Sequence, residues 1–329
     1  MGAECRGAGG GWQVAGLGFR RVRVFIAGAT GVIGRRLVPL LVAEGHEVVG
    51  TTRSAQRTGL IRDLGAHAVV VDAFEPKRLR AIVEEARPEV VIHELTDIPK
   101  SFNPNEFERN NRLRREGTRN LMAAAKAAGA RRVVAQSVAF MYAHGGSELH
   151  HEADPLAVDL PDPGGDTVRA IVDLEASVTG TEGVEGVVLR YGYFYGPGTS
   201  YAADGAQGKM LLGGRFPIVG DGAGVFSFIH LDDAAAATVR ALDHCTPGIY
   251  NVVDDDPAPL REWLPVLAEA IGAPEPRHVP KFVARLVGGR YAVQMLTRAQ
   301  GASNAQAHGE LGLELRYPSW RQGFAESLA

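Results

Sequence analysis

Three glycines at intervals of three residues stand near the start of the chain, in the segment Gly28-Ala-Thr-Gly31-Val-Ile-Gly34. The run Val22–Ala27, mostly β-branched or aromatic, precedes them, and apolar residues at helical spacing follow, so they lie between a predicted strand and helix. There, glycine permits a tight turn, a close approach of the backbone to a pyrophosphate, and close packing of helix on strand. The helix N-terminus also favours phosphate. The segment therefore predicts a dinucleotide site, the alternative being a glycine cluster without a ligand.

The residues after the second predicted strand, Glu47–Thr51, indicate which dinucleotide the site favours. Sites for NAD usually carry Asp or Glu here, which binds the ribose hydroxyls. This chain has Arg53 and Ser54 instead, with Arg57 close by. A guanidinium can bind a 2′-phosphate through two hydrogen bonds, so the sequence favours NADP(H), with NAD(H) as the alternative. Arg53 could also be no more than a solvated loop charge.

Two other groups contain residue types that bind metals. His93 and Glu94 follow one another at the end of a predicted strand, and Asp254–Asp256 stand before a proline. Two ligands do not close a metal site, and the aspartates fit a solvated turn and helix cap better. The two cysteines, Cys5 and Cys245, form neither a metal site nor a disulfide framework. We expect no metal, and a reducing, cytoplasmic location.

Alternating strands and helices must position these residues. Strands are predicted at Val22–Ala27, Glu47–Thr51, Ala68–Asp72, Val90–His93, Arg132–Gln136, Gly186–Arg190 and Gly248–Val253, and helices at Val32–Glu44, Ser54–Leu64, Pro76–Ala86, Phe107–Ala128 and Thr167–Thr179. Such alternation implies right-handed βαβ units and a parallel sheet. Asp72 ends the third strand, where it either accepts a hydrogen bond from the adenine amine or caps the next turn. The segment His144–Gly165, rich in Gly, Pro, Asp and His, is predicted to be a loop.

Bulk composition narrows the class of ligand. The chain has 329 residues, 45% of them hydrophobic, and a net charge of −3. This length fits one or two domains, and no apolar run reaches the roughly 20 residues that cross a bilayer. The small net charge gives no strong attraction to nucleic acid or anionic membranes. We therefore expect a small-molecule substrate, with no nucleic-acid or membrane partner, and a flexible glycine-rich tail at residues 1–20.

Sequence motifs spread over most of the chain point to a family. They are GATGVIG at 28–34, VVIHEL at 90–95, Asn111 with EGTRNL at 116–121, RRVVAQS at 131–137, VVLRYGYFYGPG at 187–198, FIHLDDAA at 228–235, YNVVDDDP at 250–257 and ELGLELRYPSWRQGF at 310–324. In this order and spacing, the chain resembles the extended and atypical short-chain dehydrogenase/reductases of the NAD-dependent epimerase/dehydratase type. The resemblance implies an α/β fold: a Rossmann-type doubly wound parallel sheet at 21–190 and a smaller C-terminal substrate lobe. That lobe is mainly 191–329, with some segments returning to the sheet.

The resemblance also implies roles for individual residues. Asn111 would order the active-site helix, and the segment from Tyr191 to Tyr195 would lie near the nicotinamide, while His230 and Asp232 would close the C-terminal lobe. The implied cofactor-binding residues are Gly28, Thr30, Gly31, Val32, Ile33, Gly34, Arg53, Ser54, Asp72, Leu95, Thr96, Asn111, Tyr191 and Tyr195. A homodimer through the long helices is usual in the family and is an open alternative here.

One motif departs from the family pattern. The family carries Tyr-x-x-x-Lys on the helix after the fifth strand, where Lys lowers the pKa of the Tyr phenol and Tyr transfers a proton as hydride moves. Aligned on Glu175, this chain has Thr167 and Ile171 at those positions. Either a substitute acid works here, or the hydride reaction has been lost.

Several nearby side chains are candidates for the missing acid. Ser137 ends the fifth strand, Tyr142 follows it and Tyr193 follows the sixth, and these three are the catalytic candidates. Tyr195 and the segment His150–Glu152 are further options, because a neutral histidine near its usual pKa can transfer protons. Each has an ordinary alternative: the tyrosines as walls of the site and the histidines as solvated loop residues.

Three functions fit these observations. The first is an NADP(H)-dependent oxidoreductase, since losing an ideal proton donor typically costs about 10²–10⁴-fold in rate rather than all activity. The second is an epimerase- or dehydratase-type isomerase or lyase that retains its cofactor, and the third is a dinucleotide-binding protein without chemistry. The missing Tyr and Lys count against the second, so the sequence favours the first. Apolar residues such as Met141 and Phe216 hint at a hydrophobic organic substrate, or belong to the core.

Overall fold

The computed structural model describes residues 20–98, 104–145 and 148–328. The tail expected at residues 1–20 lies outside these ranges apart from its last residue, so its flexibility stays a prediction. Within these ranges no helix combines the length and the apolar character needed to cross a membrane.

Thirteen β-strands and eleven α-helices occur in these ranges. The strands are β1 (Arg23–Ala27), β2 (Glu47–Thr52), β3 (His67–Val70), β4 (Val90–His93), β5 (Arg132–Val138), β6 (Glu185–Tyr191), β7 (Tyr193–Tyr195), β8 (Ile218–Val219), β9 (Val225–Phe226), β10 (Phe228–His230), β11 (Gly248–Val252), β12 (Ala258–Pro259) and β13 (His278–Val279). The helices are α1 (Gly34–Ala43), α2 (Thr58–Asp63), α3 (Pro76–Ala86), α4 (Pro104–Arg112), α5 (Thr118–Ala127), α6 (Gly164–Thr179), α7 (Ala206–Leu212), α8 (Leu231–Arg240), α9 (Leu260–Ala270), α10 (Lys281–Arg298) and α11 (Trp320–Ser327).

Seven strands form one parallel sheet, in the order β3-β2-β1-β4-β5-β6-β11. The chain reverses its direction of travel across the sheet between β1 and β4. In doubly wound sheets, the crevice outside the carboxyl ends of the strands at such a point is where ligands bind. The Rossmann-type α/β fold expected from the sequence is therefore confirmed, and it brings the ends of β1, β2 and β4 to a common edge.

Helices cover both faces of this sheet. Leu37 of α1 and Val239 of α8 belong to the buried core on one face. Val83 of α3, Leu121 of α5 and Leu174 of α6 belong to the core on the other face. Burial on both faces explains why the strands are apolar runs without alternation.

Small strand pairs and aromatic side chains build the C-terminal lobe. β7 pairs with β10, β9 with β12 and β8 with β13. The core of the lobe gathers Phe228, Trp263, Trp320 and Phe324, whose exposed fractions are all 0%. The Phe228 and Trp263 rings meet edge to face, with centroids 5.2 Å apart.

Several predicted elements differ from the observed ones; the helix predicted at Ser54–Leu64, for example, is α-helical only over Thr58–Asp63. The single helix predicted at Phe107–Ala128 is interrupted by a π-helical turn, Leu113–Gly117, which joins α4 to α5. Such a turn takes up extra residues and breaks the 3.6-residue period on which the prediction rests. The third strand ends at Val70 rather than at Asp72, because Asp72 already turns the chain: its Oδ1 accepts a hydrogen bond from the Phe74 amide at 2.9 Å.

Candidate functional site

The glycine turn between β1 and α1 leaves no room for a side chain at Gly28 or at Gly34. Gly28 has a φ of +98°, and a Cβ atom built on it would lie 2.5 Å from the carbonyl oxygen of Glu94. A Cβ on Gly34 would lie 2.7 Å from backbone atoms of Ala29 and Gly28. The Gly31 amide donates to the Gly28 carbonyl at 2.9 Å, which closes the turn. The turn thus packs against the end of β4 and aims the N-terminus of α1 at the crevice, an arrangement that fits a dinucleotide pyrophosphate.

The basic residue predicted to meet the adenosine half follows β2 at the same edge. The Arg53 side chain is 53% exposed, and its Nη2 lies 3.7 Å from Oδ2 of Asp97. Asp97 is bound more closely by Arg109, whose Nε lies 2.5 Å from the same oxygen. Arg53 therefore remains able to turn toward a phosphate. Ser54 donates from Oγ to Oε1 of Gln56 at 2.7 Å.

The predicted residues after β1 and β4 follow neighbouring strands at the same edge of the sheet. Thr30, Val32 and Ile33 lie in the turn that leads into α1. Leu95 is half-buried after β4, and its amide donates to Nδ1 of His93 at 3.2 Å, while Thr96 is exposed.

Asn111 lies at the end of α4 and reaches across to α6. Its Nδ2 donates to Oδ2 of Asp166 at 2.8 Å and to Oγ1 of Thr167 at 3.3 Å. Arg115, in the π-helical turn, binds Asp166 and Asp173 on the same helix, each at 2.7 Å. The structure therefore joins α6 to the α4–α5 segment at the positions where the family resemblance places the active-site helix.

Two of the three catalytic candidates belong to one buried polar network. Oγ of Ser137 donates to Oε1 of Glu175 at 2.6 Å. Arg190 binds both carboxylate oxygens of Glu175, from Nε at 2.8 Å and from Nη2 at 2.6 Å. Nη1 of Arg190 donates to the Tyr142 hydroxyl at 2.9 Å, and that hydroxyl donates to Oδ1 of Asn251 at 2.6 Å. The exposed fractions of Ser137, Tyr142, Glu175 and Arg190 lie between 4% and 8%.

In this network the Ser137 and Tyr142 hydroxyl protons are already donated in hydrogen bonds within the protein. Burial raises the pKa of the Tyr142 phenol, and the nearby Arg190 charge only partly opposes this. Tyr142 would have to leave Asn251, and Ser137 would have to leave Glu175, before either could donate to a substrate. The network bridges β5, α6, β6 and β11, so its first effect is to hold these elements together.

Tyr191 at the end of β6 and the two tyrosines of β7 lie in different surroundings. The Tyr191 hydroxyl lies 2.7 Å from Oγ1 of Thr238 on α8, and the residue is 1% exposed. Tyr195 is 0% exposed, in the core of the C-terminal lobe. Tyr193 stacks on Phe140 with ring centroids 4.2 Å apart. Tyr193 is thus the one of the three that packs against the cleft described next.

An open cleft lies between the loop after β5 and the C-terminal half of α10. Its enclosed cavity is small, about 10 Å³, and the space around it is continuous with solvent. Its walls include Phe140, Tyr142 and His150 on one side and Gln294 and Met295 on the other. The Tyr142 and His150 rings are stacked with centroids 4.7 Å apart. Both of these rings are buried, at 5% and 2% exposed, whereas Phe140 is half-buried.

One cation, Arg298, lies beside this cleft, close enough to affect the pKa of His144. His144 lines the cleft, and burial together with the charge of Arg298 lowers its pKa, so the imidazole is neutral at neutral pH. Nδ1 of His150, deeper in the wall, lies 2.9 Å from Oδ2 of Asp154. The α10 wall was missed by the sequence analysis, because a helix more than a hundred residues from the other wall carries no local signal of its partner.

Glu94 is a second residue that the sequence analysis left without a role. It follows β4 at the crevice and is 6% exposed, and its Oε2 is buried without a hydrogen-bond partner. Burial raises its pKa to about 8. His93 beside it is satisfied: Nδ1 accepts from the Leu95 amide, and Nε2 lies 2.7 Å from Oγ1 of Thr118. Among the described residues, no three His, Cys, Asp or Glu side chains are grouped to hold a metal.

Comparison with known proteins gives a family and several relatives. The sequence model described as NAD dependent epimerase/dehydratase family matches residues 24–252. A 3-diazoavenalumate denitrifying reductase of a Streptomyces species is 46% identical over 305 residues, which cover 92% of this chain and 99% of the relative. A 2-alkyl-3-oxoalkanoate reductase of Stenotrophomonas maltophilia is 26% identical over 262 residues, 77% of each chain.

Solved structures share the fold at lower identity. The UDP-glucose 4-epimerase of Thermotoga maritima superposes with a TM-score of 0.75 at 20% identity, over 93% of this chain and 97% of that one. A dTDP-glucose 4,6-dehydratase of Streptomyces venezuelae, solved with NAD bound, gives 0.74 at 20% identity, over 93% and 95%. At this identity, the likeness concerns the fold alone.

Proposed function

Because this chain belongs to the NAD-dependent epimerase/dehydratase family, we propose that it is an NADP(H)-dependent reductase that removes the diazo group from an aromatic carboxylate. An NAD(P)-dependent oxidoreductase acting on small organic substrates is the class to which the chain belongs. The choice of NADP(H) and of a diazo substrate is the proposal. The observation that carries it is the 46% identity to a denitrifying reductase over 99% of that protein.

The residues of α6 at the family's Tyr and Lys positions support a diazo substrate. The family resemblance assigns its Tyr and Lys to Thr167 and Ile171, which cannot lower a phenol pKa or donate a proton in that way. A ketone that accepts hydride becomes an alkoxide, which needs a proton at once. An arenediazonium ion is already a cation: hydride addition gives Ar–N=N–H, and cleavage of its C–N bond gives Ar–H and N₂. The charges cancel without an added proton, so this reaction tolerates the loss of the Tyr and Lys.

Different residues of the chain would bind the cofactor and position the substrate. A bound nicotinamide would supply the hydride. The Gly28–Gly34 turn and the α1 N-terminus would hold the pyrophosphate, and Arg53 the 2′-phosphate. Phe140, which is half-buried in the cleft wall, would contact the aromatic ring of the substrate. The Arg298 guanidinium beside the cleft would attract its carboxylate.

An assay of products tests this function. With 3-diazoavenalumate and NADPH, we expect one N₂ released per NADPH consumed. Reactions without protein control for direct reduction of the diazo group. Turnover of a ketone panel but not of diazo compounds would replace this proposal with a carbonyl reductase. If the protein binds the cofactor but turns over none of these substrates, it is a dinucleotide-binding protein rather than an enzyme.

Filling the cleft should separate substrate binding from cofactor binding. Ala157 lines the cleft, and a Trp side chain there would occupy much of its space. We expect Ala157→Trp to raise KM for the diazo substrate at least about tenfold, because an occluded ring site loses well over 1 kcal/mol of stacking and burial. Titration should show the Kd for NADPH unchanged. Ala203→Trp on the exposed surface is the matched control, and equal KM values in both variants would place the substrate elsewhere.

Removing Arg53 tests the choice of cofactor. We expect Arg53→Ala to weaken NADPH about 10–100-fold while NADH changes little, because charge-assisted hydrogen bonds contribute about 1.5–3 kcal/mol each. Fluorescence titration with both cofactors gives the two Kd values. Arg62→Ala removes a charge of the same kind from exposed α2 and should change neither. An equal loss for both cofactors in Arg53→Ala would mean that Arg53 does not contact the 2′-phosphate.

A further inference from the structure

A buried carboxyl group stands beside the glycine turn, at the carboxyl end of β4. Glu94 is 6% exposed, and its own carbonyl oxygen is the atom that a Cβ on Gly28 would strike. Its Oε2 has no hydrogen-bond partner, and none of the ion pairs found in the described ranges involves it. Burying such a group costs stability unless something satisfies it. Its position at the ligand-binding edge suggests that a ligand does so.

The groups around Glu94 do not satisfy it within the protein. Tyr191 on β6 is the titratable side chain that faces it, and the carboxyl group contributes to the raised pKa of that phenol. The Tyr191 hydroxyl is already paired with Thr238 on α8. His93 is bound to Thr118, and burial lowers its pKa to about 4, so it carries no charge that could pair with Glu94. Burial alone sets the state of the carboxyl, which is mostly protonated at neutral pH because its pKa is raised to about 8.

The order of the strands places Glu94 under one half of the dinucleotide. Arg53 follows β2, Gly28 follows β1 and Glu94 follows β4, and these strands are neighbours in that order. A dinucleotide with its adenosine at Arg53 and its pyrophosphate at the glycine turn must continue over β4. The nicotinamide riboside half then lies over the ends of β4, β5 and β6, which carry Glu94 and Tyr191.

We propose that Glu94 is the counter-charge of the oxidised nicotinamide ring, uncharged beside the reduced cofactor and ionised beside the oxidised one. An oxidised nicotinamide ring carries one positive charge more than the reduced ring. Glu94 then releases its proton to solvent, and the carboxylate pairs with the ring cation. The charges balance: a neutral ring, a neutral acid and a diazonium cation give a ring cation, a carboxylate, a free proton, a neutral arene and N₂.

This pairing would make the bound cofactor a stronger hydride donor. Opposite charges attract strongly where water is excluded, so the carboxylate stabilises the oxidised form more than the reduced form. Glu94 is thus a positioning and electrostatic residue for hydride transfer rather than a proton donor to the substrate. The inference rests on the proposed function only in requiring a nicotinamide cofactor, and it needs no diazo substrate.

Binding measurements on Glu94→Gln test the inference directly. The amide keeps the shape of the protonated acid but cannot ionise. We expect the Kd for NADP⁺ to rise about tenfold or more and the Kd for NADPH to change less than about threefold, since tenfold corresponds to about 1.4 kcal/mol. Calorimetry in buffers of different ionisation enthalpy should show a proton released when NADP⁺ binds the wild type near pH 7. The variant should release none, and NADPH binding should release none in either protein.

Controls separate this inference from the proposed function. Glu84→Gln removes an exposed carboxylate on α3 and should change neither Kd nor proton release. Glu94→Leu, with a melting curve for each variant, shows whether the fold itself depends on a polar group there. Equal weakening of both cofactors by Glu94→Gln, or proton release that persists in it, would overturn the inference alone. Failure of wild type to bind either cofactor would overturn the proposed function as well.

Discussion

Replacing Arg190 with methionine is expected to lower the free energy of unfolding by about 3–5 kcal/mol, because it leaves a buried carboxylate without its partner. Arg190 and Glu175 are 4% and 5% exposed, and both oxygens of the carboxylate accept from the guanidinium. The substitution also removes the donor to Tyr142 and to the Glu152 carbonyl, at 2.9 and 3.1 Å. Chemical denaturation of both proteins measures the loss, provided that their unfolding free energies depend on denaturant concentration with the same slope.

A double variant and a surface control test whether the buried ion pair causes this loss of stability. Adding Glu175→Leu to Arg190→Met should recover part of the stability, since two apolar side chains can replace a buried pair at little cost. Arg80→Ala breaks an exposed pair, Arg80 with Glu84 at 2.9 Å, and should change the free energy of unfolding by less than about 1 kcal/mol. If Arg190→Met costs no more than Arg80→Ala, the network is not a structural brace. Ser137 and Tyr142 would then be free to act in catalysis.

Substituting Gly28 with alanine is expected to weaken cofactor binding at least about a hundredfold. The added Cβ would lie 2.5 Å from the Glu94 carbonyl oxygen, so turn and strand must separate by roughly 1 Å to reach ordinary contact. A misplacement of about 1 Å in a binding or catalytic site can cost about a hundredfold. The positive φ of +98° adds strain for any residue with a side chain. Titration with NADPH and a melting curve measure the two effects.

Gly129 provides the matched control for this substitution. It has a φ of +74°, but a Cβ built on it meets nothing within 4 Å. Gly129→Ala therefore carries the backbone strain without the clash, and it should lower the melting temperature while leaving the Kd for NADPH unchanged. Similar Kd values for Gly28→Ala and wild type would show that the pyrophosphate does not lie on this turn.

The sequence by itself determined the framework of the protein. Apolar runs such as Val90–His93, separated by amphipathic helices, can be buried only in a parallel sheet covered on both faces, so β1, β4 and the connections between them were predictable. The spacing of Gly28, Gly31 and Gly34 predicted the turn, and Gly28 and Gly34 are the positions where a Cβ would collide with the backbone. These are local signals, each contained within about thirty residues.

Tertiary structure alone decided how the side chains of the site are used. Ser137 and Tyr142 have residue types suited to proton transfer, but their partners Glu175, Arg190 and Asn251, 38 to 109 residues away along the chain, hold both in a buried network. The wall of the cleft on α10 and the burial of Glu94 likewise depend on contacts between distant segments. A side chain's hydrogen-bond partners and its removal from water set its charge and its freedom to react. The residues next to a side chain in sequence determine neither its hydrogen-bond partners nor its burial. The sequence therefore identified the candidate residues, and only the fold determined their hydrogen bonding and charge.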